Sequence, residues 1–260
     1  MLLTVENLSL SVPGHRILQD VSLEVGTGEA VGLVGESGSG KSTTARAVLQ
    51  LVPDGAQTSG SISVCGHSPA DPDSCRAIRT EHAAMIFQDP RSSLNPVRRI
   101  GDSATERLVH VHGVPKAEAT RRLVDLMAEV GLRDPENLLR RYPHQLSGGM
   151  LQRVVIAAAL STDPKVLLAD EATSALDVTT QAEVLALLRR LRRERELAVL
   201  FITHDLLLAG AFCDRVYVMK DGSIVDEQPG KTVFVDPANP YTKALADATP
   251  RLPEREPRHA

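Results

Sequence analysis

The octapeptide Gly35-Glu36-Ser37-Gly38-Ser39-Gly40-Lys41-Ser42 satisfies G-x-x-x-x-G-K-[ST] at every fixed position. It follows Ala30-Val31-Gly32-Leu33-Val34, a short apolar run with the character of a buried strand. The glycines let the backbone curl so that successive N–H groups converge on phosphate oxygens. In such a loop Lys41 is expected to reach the β- and γ-phosphates, while the Ser42 hydroxyl binds Mg²⁺. Residues 43–49 can open a helix whose N-terminal dipole faces the same anion. A glycine- and serine-rich linker that happened to contain a lysine would not sit between a strand and a helix. Gly35, Glu36, Ser37, Gly38, Ser39, Gly40, Lys41, Ser42 and Thr43 are therefore expected to bind a nucleoside triphosphate.

At 260 residues and 42% hydrophobic content the chain can bury a full core, as one unit carrying a subdomain. A net charge of −4 gives no bulk attraction for nucleic acid. Cys65, Cys75 and Cys213 are far apart and form no C-x-x-C, which argues against a disulfide framework or a structural zinc site and suits a reducing cytoplasm. The N-terminus has no basic segment and meets Glu6 too early for a secretory signal. No apolar run approaches the roughly 18 residues that span a bilayer, so membrane spans would have to come from another chain.

Residues 2–12 and 17–25 alternate around Pro13-Gly14 and read as a hairpin. Further strands are expected at 60–64 and 83–87. The pattern turns helical between 91 and 162, with one helix opening at Pro115 and stopping at Gly131, and a second following Ser147. Beyond Lys165 the expectation is strand 166–169, helix 179–195, strand 198–203, helix 205–212 and strand 215–219. That is α/β material with a parallel sheet, interrupted by a helical insertion. The proline- and charge-rich residues 250–260 read as a disordered tail.

Two further stretches carry chemistry. Val166-Leu167-Leu168-Ala169-Asp170-Glu171 is an apolar strand ending in two acids. Asp170 suits Mg²⁺, usually through water, and Glu171, one residue beyond, suits orienting or deprotonating an attacking water. In Leu146-Ser147-Gly148-Gly149-Met150-Leu151-Gln152-Arg153, Ser147 can cap a helix and two glycines leave bare N–H groups open to phosphate.

Taken together and in this order, these motifs resemble the ATP-binding cassette (ABC) proteins over roughly residues 2–227. The order is phosphate loop, Gln88, Ser147-Gly148-Gly149 signature, Asp170-Glu171, Ser174-Ala175-Leu176-Asp177 and His204 after an apolar strand. The resemblance implies a P-loop NTPase ABC ATPase fold with an antiparallel β-subdomain and an inserted α-helical subdomain. The cassette would span 1–232, its helical subdomain about 91–162. It also implies that two cassettes face each other, each ATP lying between one phosphate loop and the other's Ser147, Gly148 and Gly149, with Asp177 in a loop crossing the interface. Catalysis would fall to Glu171, with His204 on the γ-phosphate and Gln88 on Mg²⁺ or the attacking water, and Mg²⁺ would be held by Ser42, Gln88 and Asp170. The chain departs from the family in two places. Its first aromatic is Phe87, so Val12 stands about where a ring usually stacks on adenine, with His15 as a substitute; and Ala172 stands where proline is usual.

Residues 87–96, Tyr142-Pro143-His144-Gln145, Met150 in the signature and Asn239-Pro240-Tyr241-Thr242 resemble the peptide/nickel importer branch. Residues 233–260 would then form that branch's short C-terminal element. The implied partners are two transmembrane permease subunits, a second and different ATP-binding subunit, and an extracytoplasmic substrate-binding protein, at the cytoplasmic face of the inner membrane. The alternative is a soluble ABC ATPase acting on nucleic acid or the ribosome. Against it, only about a hundred residues separate Lys41 from Ser147, too few for a long coiled coil, and there is one cassette. Arg189-Arg190-Leu191-Arg192-Arg193 is either a nucleic-acid patch or the solvated face of a helix whose core stripe is Val184, Leu187, Leu188 and Leu191. His110 and His112 read as exposed helix-end residues in preference to metal ligands.

Overall fold

The computed structural model describes residues 1–237 and 239–248. The disordered tail expected at 250–260 lies outside them. The chain opens with the hairpin β1 (Leu3–Val12) and β2 (His15–Val25), followed by β3 (Ala30–Val34), α1 (Lys41–Val48) and β4 (Gln57–Val64). β1 pairs antiparallel with β2 and β4, giving the three-stranded order β2-β1-β4. Alternation, reset by register shifts at Asn7 and Asp20 (φ 48° and 49°), sends Leu3, Val5, Leu8 and Leu10 of β1, and Leu18, Val21, Leu23 and Val25 of β2, to one buried face. β4 starts three residues earlier than its apolar pattern suggests, because Gln57 to Ser61 are exposed and only extend the ladder on β1.

Next come α2 (Pro72–Ala77) and β5 (Ala83–Ile86). The sequence reading missed α2; its signal is Asp71, whose carboxylate accepts from Ser74 N at 2.8 Å, with Pro72 in the first turn. Helices α3 (Ile100–Ala104), α4 (Glu106–His110), α5 (Lys116–Glu129), α6 (Pro135–Leu139) and α7 (Gly148–Leu160) follow. Regular helix thus begins at Ile100; residues 91–99 are turns. α5 buries Ala119, Leu123, Leu126 and Met127 and ends before Gly131, which takes φ 82°. The half-buried Arg107 guanidinium donates to the carbonyls of Arg79, Thr80 and Ala83, tying α4 to the start of β5.

The chain then runs through β6 (Val166–Asp170), α8 (Val178–Arg195), β7 (Ala198–Thr203), α9 (Leu206–Phe212), β8 (Arg215–Lys220), β9 (Ser223–Pro229), α10 (Gly230–Val233) and α11 (Pro240–Ala248). Six strands form one sheet in the order β5-β6-β7-β3-β8-β9, parallel except for β9. β9 was not foreseen: most of its residues are half-buried, so its hydropathy does not alternate. Every residue of β3, β6 and β7 is buried, as continuous apolar runs in a covered parallel sheet require. Along β7, Val199 and Phe201 join the core shared with α5, α7 and α8, whereas Leu200 and Ile202 join the core beneath the hairpin.

The arginines of α8 are not simply a solvated face. Arg189 donates to Ala211 O and lies over Phe212, Arg190 donates to Glu129 O, and Arg192 pairs with Asp214 at 2.5 Å. They fasten α8 to α5 and α9. Cys65 sits in the turn after β4 with φ 52°, not in the strand where the sequence placed it.

Candidate functional site

Register determines what converges. Val34 of β3 pairs with Thr203 of β7, Asp170 of β6 with Ile202 of β7, and Ile86 of β5 with Ala169 of β6. The strands therefore end together, and the residues just beyond them, Gly35, Gln88, Glu171 and His204, leave one edge of the sheet. That edge is where open parallel sheets place ligands.

A cavity of about 550 Å³ opens there, lined by Ile17, Ser37, Gly38, Gly40, Lys41, Ser42, Thr43, Gln88, Glu171 and His204. Gly35, Glu36 and Ser39 shape the loop from behind. The Lys41 ammonium donates to the carbonyls of Gly35 (2.9 Å) and Glu36 (2.7 Å) and to Ser39 Oγ (3.4 Å). Gly40 caps α1 with φ 105°, a conformation open to glycine, so the first N–H groups of α1 face the cavity. Burial lowers the Lys41 pKa, and the charges of Glu171, Asp170 and Glu36 oppose that fall.

On the facing wall Ser42 Oγ donates to Asp170 Oδ1 at 2.7 Å. Asp170 is 3% exposed, and burial raises its pKa against the Ser42 hydrogen bond and the Arg46 charge. Glu171 has both oxygens engaged: Oε2 accepts from Gln88 Nε2 at 2.6 Å, and Oε1 lies 3.2 Å from His204 Nδ1. Its backbone takes φ 47°, held by a hydrogen bond from its N–H to Ile202 O. Hydroxyl, carboxylate and amide oxygens form a hard donor set, and among the described residues the Asp170 carboxylate has no ion-pair partner. Ser42, Asp170 and Gln88 thus fit a Mg²⁺ ion.

Ser147, Gly148 and Gly149 are elsewhere. Ser147 Oγ caps α7 by accepting from Met150 N at 3.3 Å, and Ser147 and Gly148 are exposed; none of the three lines the phosphate cavity of its own chain. Asp177 caps α8 by accepting from Thr180 N (3.0 Å) and Thr180 Oγ1 (2.7 Å), bonds that lower its pKa. Ile17 was missed by the sequence reading. Val12, at the position where a ring usually stacks on adenine, and His15, the expected substitute for that ring, lie at the hairpin turn around a different concavity with Gly55 and Gln57. His110 and His112 are exposed, and among the described residues no group of three or more histidines, cysteines or acids is placed to hold a metal. Nor is any described helix long and apolar enough to cross a membrane.

Residues 18–174 match the ABC transporter family. The chain is 43% identical to the probable D,D-dipeptide transport ATP-binding protein DdpD of Escherichia coli K12, over 95% of this chain and 78% of that protein. It is 40% identical to the oligopeptide transport ATP-binding protein OppD of Bacillus subtilis 168, over 96% and 72% respectively. Among solved structures it is similar to a dimeric post-hydrolysis ATP-binding cassette bound to ADP and Pi, with TM-score 0.76 and 28% identity over 87% of this chain and 98% of that one. A chain with this phosphate cavity and these likenesses belongs to the ABC transporter family, as an ATP-hydrolysing cassette that energises transport.

Proposed function

We propose that this cassette works as one half of an ATP sandwich and drives an importer of di- or oligopeptides, with nickel or another metal complex as the second cargo class. The carrying observation is the exposure of Ser147 and Gly148 away from their own phosphate cavity. N–H groups opening a thirteen-residue helix are an anion site, and here they have no phosphate to serve unless another cassette brings one. The partner cassette is a second, different chain, to which Asp177 presents its loop. Two permease subunits supply the spans, an extracytoplasmic binding protein supplies cargo, and the cassette sits peripherally on the cytoplasmic face.

Within the cavity, Lys41 exchanges the carbonyls of Gly35 and Glu36 for β- and γ-phosphate oxygens, a stronger charge-assisted pairing. Glu171 accepts the proton of the attacking water, which replaces one of its present partners, Gln88 or His204. His204 then holds the γ-phosphate. Mg²⁺, when bound by Ser42, Asp170 and Gln88, would offset the phosphate charge. The peptide assignment is supported by what the two relatives are named for, and the alternative of a nucleic-acid or ribosomal ATPase is disfavoured by Arg189, Arg190 and Arg192 of α8 being engaged within the fold.

The test is reconstitution of the chain with its co-purifying cassette and permeases in proteoliposomes. ATP-dependent uptake of labelled di- or oligopeptide delivered by the binding protein is expected. ATPase activity stimulated by DNA or ribosomes instead would overturn the reading.

A further inference from the structure

Asn239-Pro240-Tyr241-Thr242 has no part in the phosphate chemistry, yet it is fixed with care. Thr242 is fully buried, and its hydroxyl donates to Asp226 Oδ2 on β9 at 2.6 Å, an oxygen that also accepts from Gln228 Nε2 at 2.8 Å. Asn239 Nδ2 donates to Val225 O at 2.8 Å, while its Oδ1 accepts from Tyr241 N at 2.8 Å. These bonds seat α11 on β9 and direct Tyr241 toward the phosphate loop.

The Tyr241 ring lies beneath the Lys220 ammonium, 4.9 Å from it, at the end of β8. The preceding carbonyl, Met219 O, packs so tightly on Gly35 that no side chain fits there, and Gly222 N donates to Ser39 O at 3.1 Å. The Tyr241 hydroxyl is buried, without a partner in hydrogen-bond geometry among the described residues, and faces the amide and carboxylate of Glu36. The carbonyl of Glu36 is the one that accepts from Lys41 at 2.7 Å and from Ser39 N at 3.2 Å. One residue of the loop thus touches the C-terminal element on one side and holds the phosphate-binding lysine on the other.

We propose that Tyr241 is a positioning residue for ATP binding: seated by α11 against Glu36, its ring braces the first turn of the phosphate loop and so sets where Lys41 waits. Tyr241 touches no nucleotide and acts through Glu36. With no partner in hydrogen-bond geometry to the hydroxyl among the described residues, the bracing is assigned to the packed ring. Coupling between two sites is reciprocal, so nucleotide in the loop must in turn steady α11.

Tyr241→Ala in the full chain should raise the ATP Kd and KM about fivefold or more, the lower end of the usual range for coupled sites. Its kcat at saturating ATP should stay, as for loss of uniform binding. Tyr241→Phe should bind ATP as the parent does. The second measurement needs no variant of Tyr241: hydrogen–deuterium exchange over residues 239–248, with and without ATP, in Glu171→Gln to prevent turnover. Slower exchange with ATP is expected. Unchanged exchange, or a folded Tyr241→Ala with parental ATP affinity, would overturn the proposal.

Discussion

A β-carbon built on Gly149 would stand 2.5 Å from Thr180 Cγ2. The first turn of α7, which carries the signature, is thus packed directly on the first turn of α8, whose cap is Asp177. Gly149→Ala must push the Thr180 methyl aside. That rotates Oγ1 off Asp177, because one χ1 sets both substituents. We expect a loss of at least about tenfold in partner-stimulated hydrolysis, with ATP binding to the isolated chain unchanged. Thr180→Ser removes the methyl and keeps the hydroxyl, so Gly149→Ala/Thr180→Ser should recover most of the activity. Hydrolysis assays on the single and double variants check this.

Glu171→Gln keeps the side chain's shape but cannot take a proton from water. Hydrolysis should fall by about 10²–10⁴-fold, while ATP binding survives because Lys41, Ser42 and Asp170 are untouched. With its partner cassette, ATP and Mg²⁺, the variant should accumulate as a closed pair on size-exclusion chromatography, and Ser147→Arg on the facing signature should prevent it. Normal turnover with no trapped pair would remove Glu171 from the role of base.

Asp170 gives a pH-dependent expectation. Burial raises its folded-state pKa above the ordinary 3.8, so between those two values the native state binds more protons than the unfolded one. Stability of the metal- and nucleotide-free chain should accordingly be greatest below pH 3.8 as far as this group is concerned, and fall as pH rises through the raised value. Asp170→Asn still accepts from Ser42 and should abolish that fall. The Tm of the free variant near neutral pH should exceed the parent's, while hydrolysis is lost. Thermal melts between pH 3.5 and roughly 7 separate the two curves.

The cavity wall at the hairpin is Ile17, with no ring to stack on a base. We expect weak discrimination between ATP and GTP, and Ile17→Tyr should tighten nucleotide binding, since stacking contributes about 1–3 kcal/mol per base. His15→Ala should change nothing, because His15 stands at the hairpin turn around another concavity. Titration of both nucleotides against the three proteins decides.

What could be read from the sequence was what local chemistry dictates. A loop that wraps phosphate needs glycine at Gly35 and Gly40 and an ammonium at Lys41, so the loop announces itself in eight residues. Asp170 and Glu171 end an apolar strand, which places them at a sheet edge without further knowledge. Their meeting with Gln88 and His204 is another matter, since it depends on β5, β6 and β7 ending in register, a property of strand pairing across more than a hundred residues. The contacts of Arg189, Arg190 and Arg192 were invisible for the same reason. β9 lacked a hydropathy pattern because its half-buried residues pair at a sheet edge, and Ile17 looked like any strand residue until the hairpin's place beside the phosphate loop was known.

Glu171 carries one further implication through its φ of 47°. A left-handed backbone costs a side-chain-bearing residue about 1–2 kcal/mol, whereas glycine takes that shape freely. At this position, then, thermal robustness and turnover select opposite amino acids: Glu171→Gly relaxes the backbone and removes the proposed proton acceptor. A library of this chain screened for heat resistance alone would drift toward folded, inactive cassettes at residue 171, and only a screen that also demands ATP turnover would keep the glutamate.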